Sequence, residues 1–225
     1  MEKYGEIPKA FTKKWVEHYW TYYKFHALAV IFACFMVGSI IYANVTRITY
    51  DLCLGYVGKG YISENYQQKF TEWTQDLIVD SAEDGRKDIR FTDYAIDYGD
   101  LDDKNIETES AIRDKLVLDI MAGDGDLFFV TGTNLQYLKD IGDCFEEANS
   151  ISGTELRDDQ MFKNDQGYAF AVKLNTTDEI YQSGFDLSSG LYLCVRKVFA
   201  DNTDIDGRQE LHENSVKIAR MLIGE

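Results

Sequence analysis

Histidine is scarce in this sequence, and its scarcity bears on catalysis. The 225-residue chain has three histidines; His18 and His26 lie near the N-terminus, so His212 is the only histidine in the rest of the chain. The chain therefore has almost no histidine with which to form a Ser-His-Asp triad or a multi-histidine zinc site. The chain also lacks the GKS or GKT of a phosphate-binding P-loop. We therefore predict that the protein is not an enzyme.

Cysteine is too rare for a disulfide framework. Of the four cysteines, Cys34 lies in an apolar stretch, which leaves Cys53, Cys144 and Cys194, an odd number with no CxxC pair. Two interpretations stay open. Either the three are buried small hydrophobic residues, or two of them form one disulfide.

Basic residues are outnumbered, with 23 lysines and arginines against 39 aspartates and glutamates and a net charge of −16. The first 24 residues carry five lysines and three glutamates, or +2, and Phe25–Thr46 carries no charge, so the part from Arg47 onward carries −18. A surface this acidic argues against nucleic acid and against an anionic lipid surface as partners.

One long uncharged stretch is present, from Phe25 to Thr46. A hydrocarbon core about 30 Å thick needs about 20 apolar helical residues, so the stretch is long enough for one span, and Ala27–Ile41 has no polar face. The apolar part of an export signal is shorter, roughly 7–15 residues, although a cleaved signal is the alternative. We predict an interfacial segment at 1–24, an uncleaved transmembrane helix at 25–46 and a domain at 47–225.

The residues before this stretch predict its orientation. Lysines outnumber glutamates there, and basic flanks stay on the cytoplasmic side. Trp15, Tyr19 and Trp20 add aromatic side chains that suit the inner membrane interface. The prediction is a single-pass cell-membrane protein with a cytoplasmic N-terminus and an extracytoplasmic C-terminal domain.

The domain begins with alternating strand and helix patterns. Strands are predicted at RITYDLCLGYVG, DIRFTDYAIDYG and DLFFVT. One helix begins at Ser63, a second ends at Gly123, and a third spans Thr133 to Ile141 and is closed by Gly142. Apolar spacing predicts the inward residues of the first two helices as Tyr66, Phe70, Trp73, Leu77, Ile112, Leu116 and Ile120. This β-α-β-α-β-α order predicts parallel strands joined by crossover helices.

The second half of the domain is less regular. A polar stretch at 143–167 is predicted as a long excursion, and YAFAVKL and LYLCVRKVF as two further strands. A terminal helix is predicted from about His212, with Val216, Ala219 and Ile223 facing inward. The whole pattern indicates one three-layer α/β domain with a mainly parallel sheet.

Four segments carry a resemblance to a known group of proteins. They are FTKKWVEHYWTYYKFH, YDLCLGYVGKGYISEN, EDGRKDIRFTDYAID and MAGDGDLFFVTGTNLQYLKDIGDCFEE. With the single span, they resemble uncharacterised membrane-anchored surface proteins of clostridial-type bacteria. The fourth segment is also similar to part of one lobe of extracytoplasmic solute-binding proteins, where such a strand ends at the ligand cleft. The resemblance implies a periplasmic-binding-protein-like fold, but this chain supplies one lobe where solute capture uses two.

Loop positions give a first candidate site. Gly58 and Gly60 lie between a predicted strand and helix, where glycine-rich phosphate loops occur, although their GxxGxG spacing also fits a plain turn. Thr131 and Asn134 follow the third predicted strand. Because the carboxyl ends of parallel strands share one edge of a sheet, these four residues form a candidate small-ligand site.

The stretch NTDIDGRQELHE gives a second candidate site. Asn202, Asp204, Asp206 and Glu213 match positions 1, 3, 5 and 12 of an EF-hand loop, and Arg208 supplies the backbone carbonyl of position 7. Calcium takes about six to eight oxygen ligands, and this clustering provides them. Asp and Asn beside Gly also make ordinary turns, so a solvated turn is the other interpretation.

These observations favour an interaction module over a catalyst. The leading hypothesis is a membrane-anchored, extracytoplasmic, non-catalytic domain that binds a protein partner at the cell surface, as an accessory subunit or sensor. The alternative is a small-solute or calcium-binding module. No cofactor is expected under the first hypothesis, and calcium is the candidate under the second.

Overall fold

The computed structural model describes residues 12–46, 49–81, 83–97, 106–176, 185–198 and 208–224. The chain divides into two compact units, Met1–Ile48 and Thr49–Glu225. The first unit contains one long helix, and the second contains an α/β domain.

Helix α1, Lys13–Val45, begins with a side-chain cap. Oγ1 of Thr12 accepts a hydrogen bond from the backbone N–H of Trp15 at 3.3 Å, which satisfies one of the donors that the first turn leaves open. Within α1, Tyr23–Ala43 is 21 residues long, has a mean hydropathy of 2.1 and is not buried inside the protein. By length and composition, α1 is therefore apolar enough to cross a membrane once, which agrees with the span predicted at 25–46.

The second unit is built on one mixed sheet. Its strands are β1 (Leu52–Gly58), β2 (Ile89–Ala95), β3 (Leu127–Thr131), β4 (Met161–Lys163), β5 (Ala169–Lys173) and β6 (Leu191–Val195). They lie in the order β2-β1-β3-β6-β5-β4. β1 pairs in parallel with β2 and β3, whereas the β3-β6, β6-β5 and β5-β4 pairs are antiparallel. Among the described strands, four of six run in one direction, so the sheet is mixed and mostly parallel.

Helices cover both faces of this sheet. They are α2 (Glu64–Thr74), α3 (Ile106–Ala122), α4 (Leu135–Leu138), α5 (Ala148–Ser152) and α6 (Arg208–Ile223), with 3₁₀ helices at Lys139–Cys144 and Asp158–Gln160. α2 and α6 pack on one face, and α3 and α4 pack on the other. The predicted three-layer α/β arrangement is confirmed.

Strand alternation explains why both faces are filled. Along β1 and β3, Leu54, Tyr56 and Phe129 enter the core beneath α2 and α6. Their neighbours Phe128 and Val130 enter the opposite core, beneath α3 and α4. Successive side chains point to opposite faces, so a strand buried on both sides reads as a continuous apolar run, as DLFFVT does.

Several helix limits differ from the prediction. α2 ends at Thr74, before Leu77, and Trp73 is 36% exposed although its ring contacts that of Phe70. The helix predicted to close at Gly142 is instead the short α4 followed by a 3₁₀ helix that contains Gly142, because Ile141 has non-helical dihedral angles. α6 begins at Arg208, four residues before the predicted start.

The second half also differs in strand content and direction. β4 lies inside the stretch that was predicted as an excursion, and β4, β5 and β6 pair in antiparallel fashion. Antiparallel neighbours need no crossover helix, so the connections in this half do not show the β-α alternation of the first half.

The four cysteines are free, so the structure matches the interpretation of small hydrophobic residues rather than a disulfide. Cys53 and Cys194 are buried in the sheet, and Cys144 is partly buried. Burial raises the pKa of the Cys53 thiol to about 12, which keeps it protonated and unreactive.

Candidate functional site

The carboxyl ends of β1 and β3 bring the first candidate site together. Gly58 is the last residue of β1, and Thr131 is the last residue of β3, its parallel neighbour. Asn134 follows three residues later and is hydrogen-bonded to Thr131. Gly60 lies in the turn after β1 with a φ of +90°, a conformation that favours glycine.

The polar side chains at this edge are bonded within the protein. Thr131 is 2% exposed and Asn134 is 1% exposed. Nδ2 of Asn134 donates to the carbonyl of Ile96 at 2.8 Å and to Oγ1 of Thr131 at 2.9 Å. Oγ1 of Thr131 donates to the carbonyl of Val57 at 3.4 Å. These bonds join the ends of the three parallel strands, so both residues have a structural role.

A segment of the chain also covers this edge. The ring of Phe185 lies 5.2 Å from that of Tyr56, 4.7 Å from that of Tyr66 and 5.0 Å from that of Phe129, measured between centroids. The backbone N–H of Gly132 donates to Gly190 at 2.9 Å, and a Cβ at Gly132 would collide with a neighbouring carbonyl. In open α/β sheets, ligands bind outside the strand ends where connections diverge; here residues 185–190 cover that position.

Buried charges lie at the opposite, amino edge of β3. Nη2 of Arg196 is 3.1 Å from Oδ1 of Asp126, and both side chains are almost fully buried. Nε of Arg196 also donates to the carbonyl of Gly125 at 2.7 Å. Burial raises the pKa of the Asp126 carboxyl, and the guanidinium of Arg196 opposes that rise. Nη1 of Arg196 also donates to the carbonyl of Lys197 at 2.9 Å, so the pair connects the start of β3 to the end of β6.

The first turns of α6 extend this polar cluster. Nδ1 of His212 is 3.1 Å from the carbonyl oxygen of Arg196, and Nε2 is 3.5 Å from Oε1 of Glu146. Nη2 of Arg208 donates to the carbonyl of Ala122 at the end of α3, at 3.3 Å. No sequence motif indicates these contacts, because the partners come from separate elements of the domain.

A second buried polar group joins β1 to α6. The carboxylate of Asp51 accepts bonds from the N–H of Ser81 at 2.7 Å and of Asp88 at 2.9 Å. The amide of Asn214 donates to the carbonyls of Asp51 at 3.0 Å and Val79 at 2.9 Å, and it accepts from the N–H of Val79 at 2.8 Å. The two side chains hold the connection between α2 and β2 against the rest of the domain.

The second candidate site falls mostly outside the described residues. Asn202, Asp204 and Asp206 lie there. Arg208 is the first residue of α6, so its carbonyl lies along the helix axis towards the N–H of His212. Oε1 of Glu213 accepts a bond from Gln209 at 3.3 Å. Within the described ranges, no group of three or more His, Cys, Asp or Glu side chains is placed to hold a metal ion. The calcium loop stays a prediction.

A groove of about 550 Å³ runs along the outer surface of α6. Its lining residues are His212, Glu213, Val216, Lys217, Arg220 and Met221. Nζ of Lys217 donates to the carbonyl of Leu77 at 2.6 Å, and Nε of Arg220 donates to that of Ile151 at 3.1 Å. The groove therefore combines the apolar side chains of Val216 and Met221 with the carboxylate of Glu213 and with two cations that are held in place.

No protein-family model, curated protein sequence or solved structure matches this chain. The resemblance to one lobe of solute-binding proteins therefore stays a prediction.

Proposed function

We propose that this protein is a single-pass membrane protein whose extracytoplasmic α/β domain binds a protein partner and catalyses no reaction. The observation that carries the proposal is the sealed carboxyl edge of the sheet. There, Thr131 and Asn134 are bonded internally and residues 185–190 lie over the strand ends. Because these polar groups are hydrogen-bonded within the domain, we infer that the partner binds to the exposed surfaces of the helices.

The anchor supports the same proposal. α1 contains 21 residues of mean hydropathy 2.1 that the protein does not bury. Lys13, Lys14 and Lys24 lie at its N-terminal end, and basic residues remain on the cytoplasmic side. The domain that follows is strongly acidic, which suits a solvated position away from an anionic cytoplasmic leaflet. Under this proposal the domain is an accessory subunit or sensor at the cell surface.

Labelling of single cysteines in intact cells tests the topology. In a chain with Cys34 and Cys144 changed to serine, Asn65→Cys is expected to react with a membrane-impermeant maleimide, because Asn65 is exposed on α2. Lys14→Cys is expected to react only after the membrane is permeabilised. The reverse pattern would overturn the orientation, and recovery of the chain in the soluble fraction would overturn the anchor.

Thermal unfolding of the full chain in detergent separates this proposal from the small-solute alternative. A ligand at 100 times its Kd adds about 2.7 kcal/mol to the free energy of unfolding. We expect no shift in Tm with calcium, EDTA or a panel of small solutes. A shift with calcium that Glu213→Gln abolishes would instead establish the calcium loop, and a shift with a solute would favour the solute-binding alternative.

A further inference from the structure

The geometry points to a pH-sensitive contact at the start of α6, in which the imidazolium ring of His212 holds the first turns of the helix against the carbonyl of Arg196 and the carboxylate of Glu146. We call this contact the His212 switch. His212 is the only histidine after His26 in the sequence, so the domain has one histidine with which to respond near neutral pH. The switch goes beyond the proposed partner binding, because it concerns how the domain itself responds to pH.

The ring of His212 lies against two segments that pair with each other at the end of β6. The backbone N–H of Glu146 donates to the carbonyl of Val195 at 2.7 Å. The neighbouring residues Phe145 and Arg196 form an isolated antiparallel bridge. The backbone of Arg196 and the side chain of Glu146 therefore come from paired segments outside α6, and the switch joins the helix to both.

The two ring nitrogens of His212 both face acceptors. Nδ1 is 3.1 Å from the carbonyl oxygen of Arg196, and a carbonyl oxygen only accepts hydrogen bonds, so Nδ1 carries a proton. Nε2 faces Oε1 of Glu146 at 3.5 Å. In the neutral ring with Nδ1 protonated, Nε2 has a lone pair that is directed at the carboxylate. In the imidazolium, Nε2 carries a proton and the ring a positive charge, so both contacts are favourable only in this form.

Other charged groups lie on the elements around the ring. They are Arg208 and Glu213 on α6, Asp51 before β1, Asp124 and Asp126 before β3, Arg196 and Lys197 after β6, and Asp143, Glu146 and Glu147 before α5. Asp126 pairs with Arg196 at 3.1 Å. Oε1 of Glu213 accepts a bond from Gln209 at 3.3 Å. Among the described carboxylates, that of Glu146 lies at ion-pair distance from the ring, so its contact responds most directly when the ring gains or loses a proton.

The chemistry of the two side chains sets the pH range of the switch. In an unfolded chain, histidine loses its proton at about pH 6.5 and glutamate at about pH 4.3. Between these values the ring is cationic and the carboxylate is ionised, so the contact of His212 with Glu146 is strongest. As the pH rises through the titration of the histidine, the stabilisation that depends on the imidazolium is lost. Because His212 and Glu213 also border the groove along α6, the switch makes this exposed surface responsive to pH.

Cysteine labelling in the next turn of α6 tests the switch in the full chain in detergent. Ser215 is fully buried, so Ser215→Cys reacts with a maleimide only when the start of the helix moves away from the sheet. Cys34 and Cys144 are changed to serine, and each rate is divided by that of a free thiol at the same pH. The normalised rate is expected to be about two- to fivefold higher at pH 8 than at pH 5.5, which is the range for the loss of a partly exposed ion pair.

His212→Asn is the decisive variant in the labelling experiment. Its amide nitrogen replaces Nδ1 as a donor to the carbonyl of Arg196, but the side chain does not titrate. The difference in normalised rate between pH 5.5 and pH 8 is therefore expected to disappear when this change is added to Ser215→Cys. The same chains without Ser215→Cys give the background reaction of Cys53 and Cys194. A pH effect that persists in His212→Asn would overturn the switch.

A double-mutant cycle in urea tests whether Glu146 is the partner of the ring. Urea midpoints of the full chain in detergent are measured for His212→Asn, for Glu146→Gln and for the double variant. At pH 5.5, the two decreases in midpoint are expected to be non-additive, because either change removes the same ion pair. At pH 8, this non-additivity is expected to disappear, because the ring is neutral. Additive decreases at pH 5.5 would contradict the pairing of His212 with Glu146 and overturn the switch.

The exposed pair of Lys163 with Asp158 is the matched control for the cycle. Exposed lysine and aspartate side chains keep their charges between pH 5.5 and pH 8, so Lys163→Met with Asp158→Asn is expected to give the same coupling at both pH values. Asp126 and Arg196 are retained in all of these chains, so their own response to pH cancels. Neither experiment contains a partner protein, so failure of the switch would leave the proposed partner binding standing.

Discussion

The two edges of the parallel half of the sheet use polar residues differently. At the carboxyl edge, the buried groups are neutral: Asn134 and Thr131 bond to each other and to backbone carbonyls. At the amino edge, the buried groups are charged, and Asp126 pairs with Arg196 while Asp51 receives backbone N–H groups. At the edge where α/β folds usually place ligands, the fully buried side chains thus make uncharged bonds beside the half-buried carboxylate of Asp93, and the opposite edge contains the fully buried charges.

The difference follows from what each edge must hold. At the amino edge, Arg208 and Asn214 link α6 to the end of α3 and to the segment before β2, so long side chains and charges reach between elements. At the carboxyl edge, the ends of adjacent strands are already close, so the amide of Asn134 and the hydroxyl of Thr131 are sufficient to join them. The buried charges at the amino edge therefore lie where side chains connect separate elements of the domain.

Arg196→Met should produce the largest loss of stability. It leaves the carboxylate of Asp126 buried without its cation, and breaking a buried pair costs about 3–5 kcal/mol. Burial already raises the pKa of Asp126, and removal of Arg196 takes away the main opposing effect. The loss should therefore shrink as pH falls and Asp126 becomes protonated. Equilibrium unfolding in urea at several pH values measures both effects.

Two further variants make this result decisive. Adding Asp126→Leu to Arg196→Met should recover part of the loss, because no charge then remains buried. Lys163→Met removes a cation from an exposed pair with Asp158 and should leave the unfolding free energy unchanged. A loss that is independent of pH, or a double variant less stable than the single one, would show that the ion pair is not the cause.

Asn214→Ala should give the next largest loss, about 2–3 kcal/mol. It removes three hydrogen bonds and leaves the N–H and carbonyl of Val79 and the carbonyl of Asp51 to find water. Urea unfolding measures the loss. Proteolysis under native conditions should also cut more readily between α2 and β2, because that segment is no longer held. Gln209→Ala, at an exposed position of the same helix, is the control, and equal effects of the two would refute a role for the amide.

Asn134→Ala should cost less, about 1–2 kcal/mol, if the carboxyl edge is sealed by neutral bonds alone. The variant leaves the carbonyl of Ile96 and the hydroxyl of Thr131 with fewer partners, and no charge is exposed or stranded. The loss should therefore be independent of pH. Asn65→Ala, at an exposed position, serves as control. A loss of unfolding free energy as large as that of Arg196→Met would contradict the proposed difference between the two edges.

The first half of the domain was predictable because its pattern is local. Leu127–Thr131 is buried on both faces and reads as an apolar run, and Ser63 caps α2, where Oγ accepts from the N–H of Tyr66 at 3.3 Å. Such signals lie within a few residues of one another. The antiparallel half was predicted less completely. β5 and β6 were predicted as strands, but β4 has only three residues, and the antiparallel pairing of β5 with β4 and β6 follows from no local pattern.

The candidate site shows the same limit. Topology correctly brought Gly58, Thr131 and Asn134 to one edge, since parallel strand ends must meet there. Whether those groups are available to a ligand depends on residues far away in sequence. Examples are Phe185, whose ring contacts that of Tyr56, and Ile96, whose carbonyl accepts a hydrogen bond from Asn134. Composition and spacing do not contain that information. For the same reason, the sequence shows that His212 is the only histidine after the N-terminal region, but it does not show that His212 lies beside Glu146.

Asp93 allows a test of the comparison in which the expected change in stability is the smallest. It lies on β2, where its Oδ1 accepts the N–H of Ile62 at 3.1 Å, and burial raises its pKa without a cation to oppose the rise. The folded state therefore binds the Asp93 proton more tightly than the unfolded state does. Its contribution to stability is present below the unfolded pKa of about 3.9 and is lost as pH rises through the folded pKa.

Asp93→Asn keeps an oxygen that accepts from Ile62 and removes the titration. The stability of the variant relative to the natural chain should therefore rise as the pH increases above about 4, by less than Arg196→Met changes it. Urea midpoints of the two chains across this range measure the difference, in which the titration of Asp126 cancels because both chains retain it with Arg196. Parallel curves would mean that Asp93 is solvated in the folded state, and the carboxyl edge would then carry no unpaired charge at all.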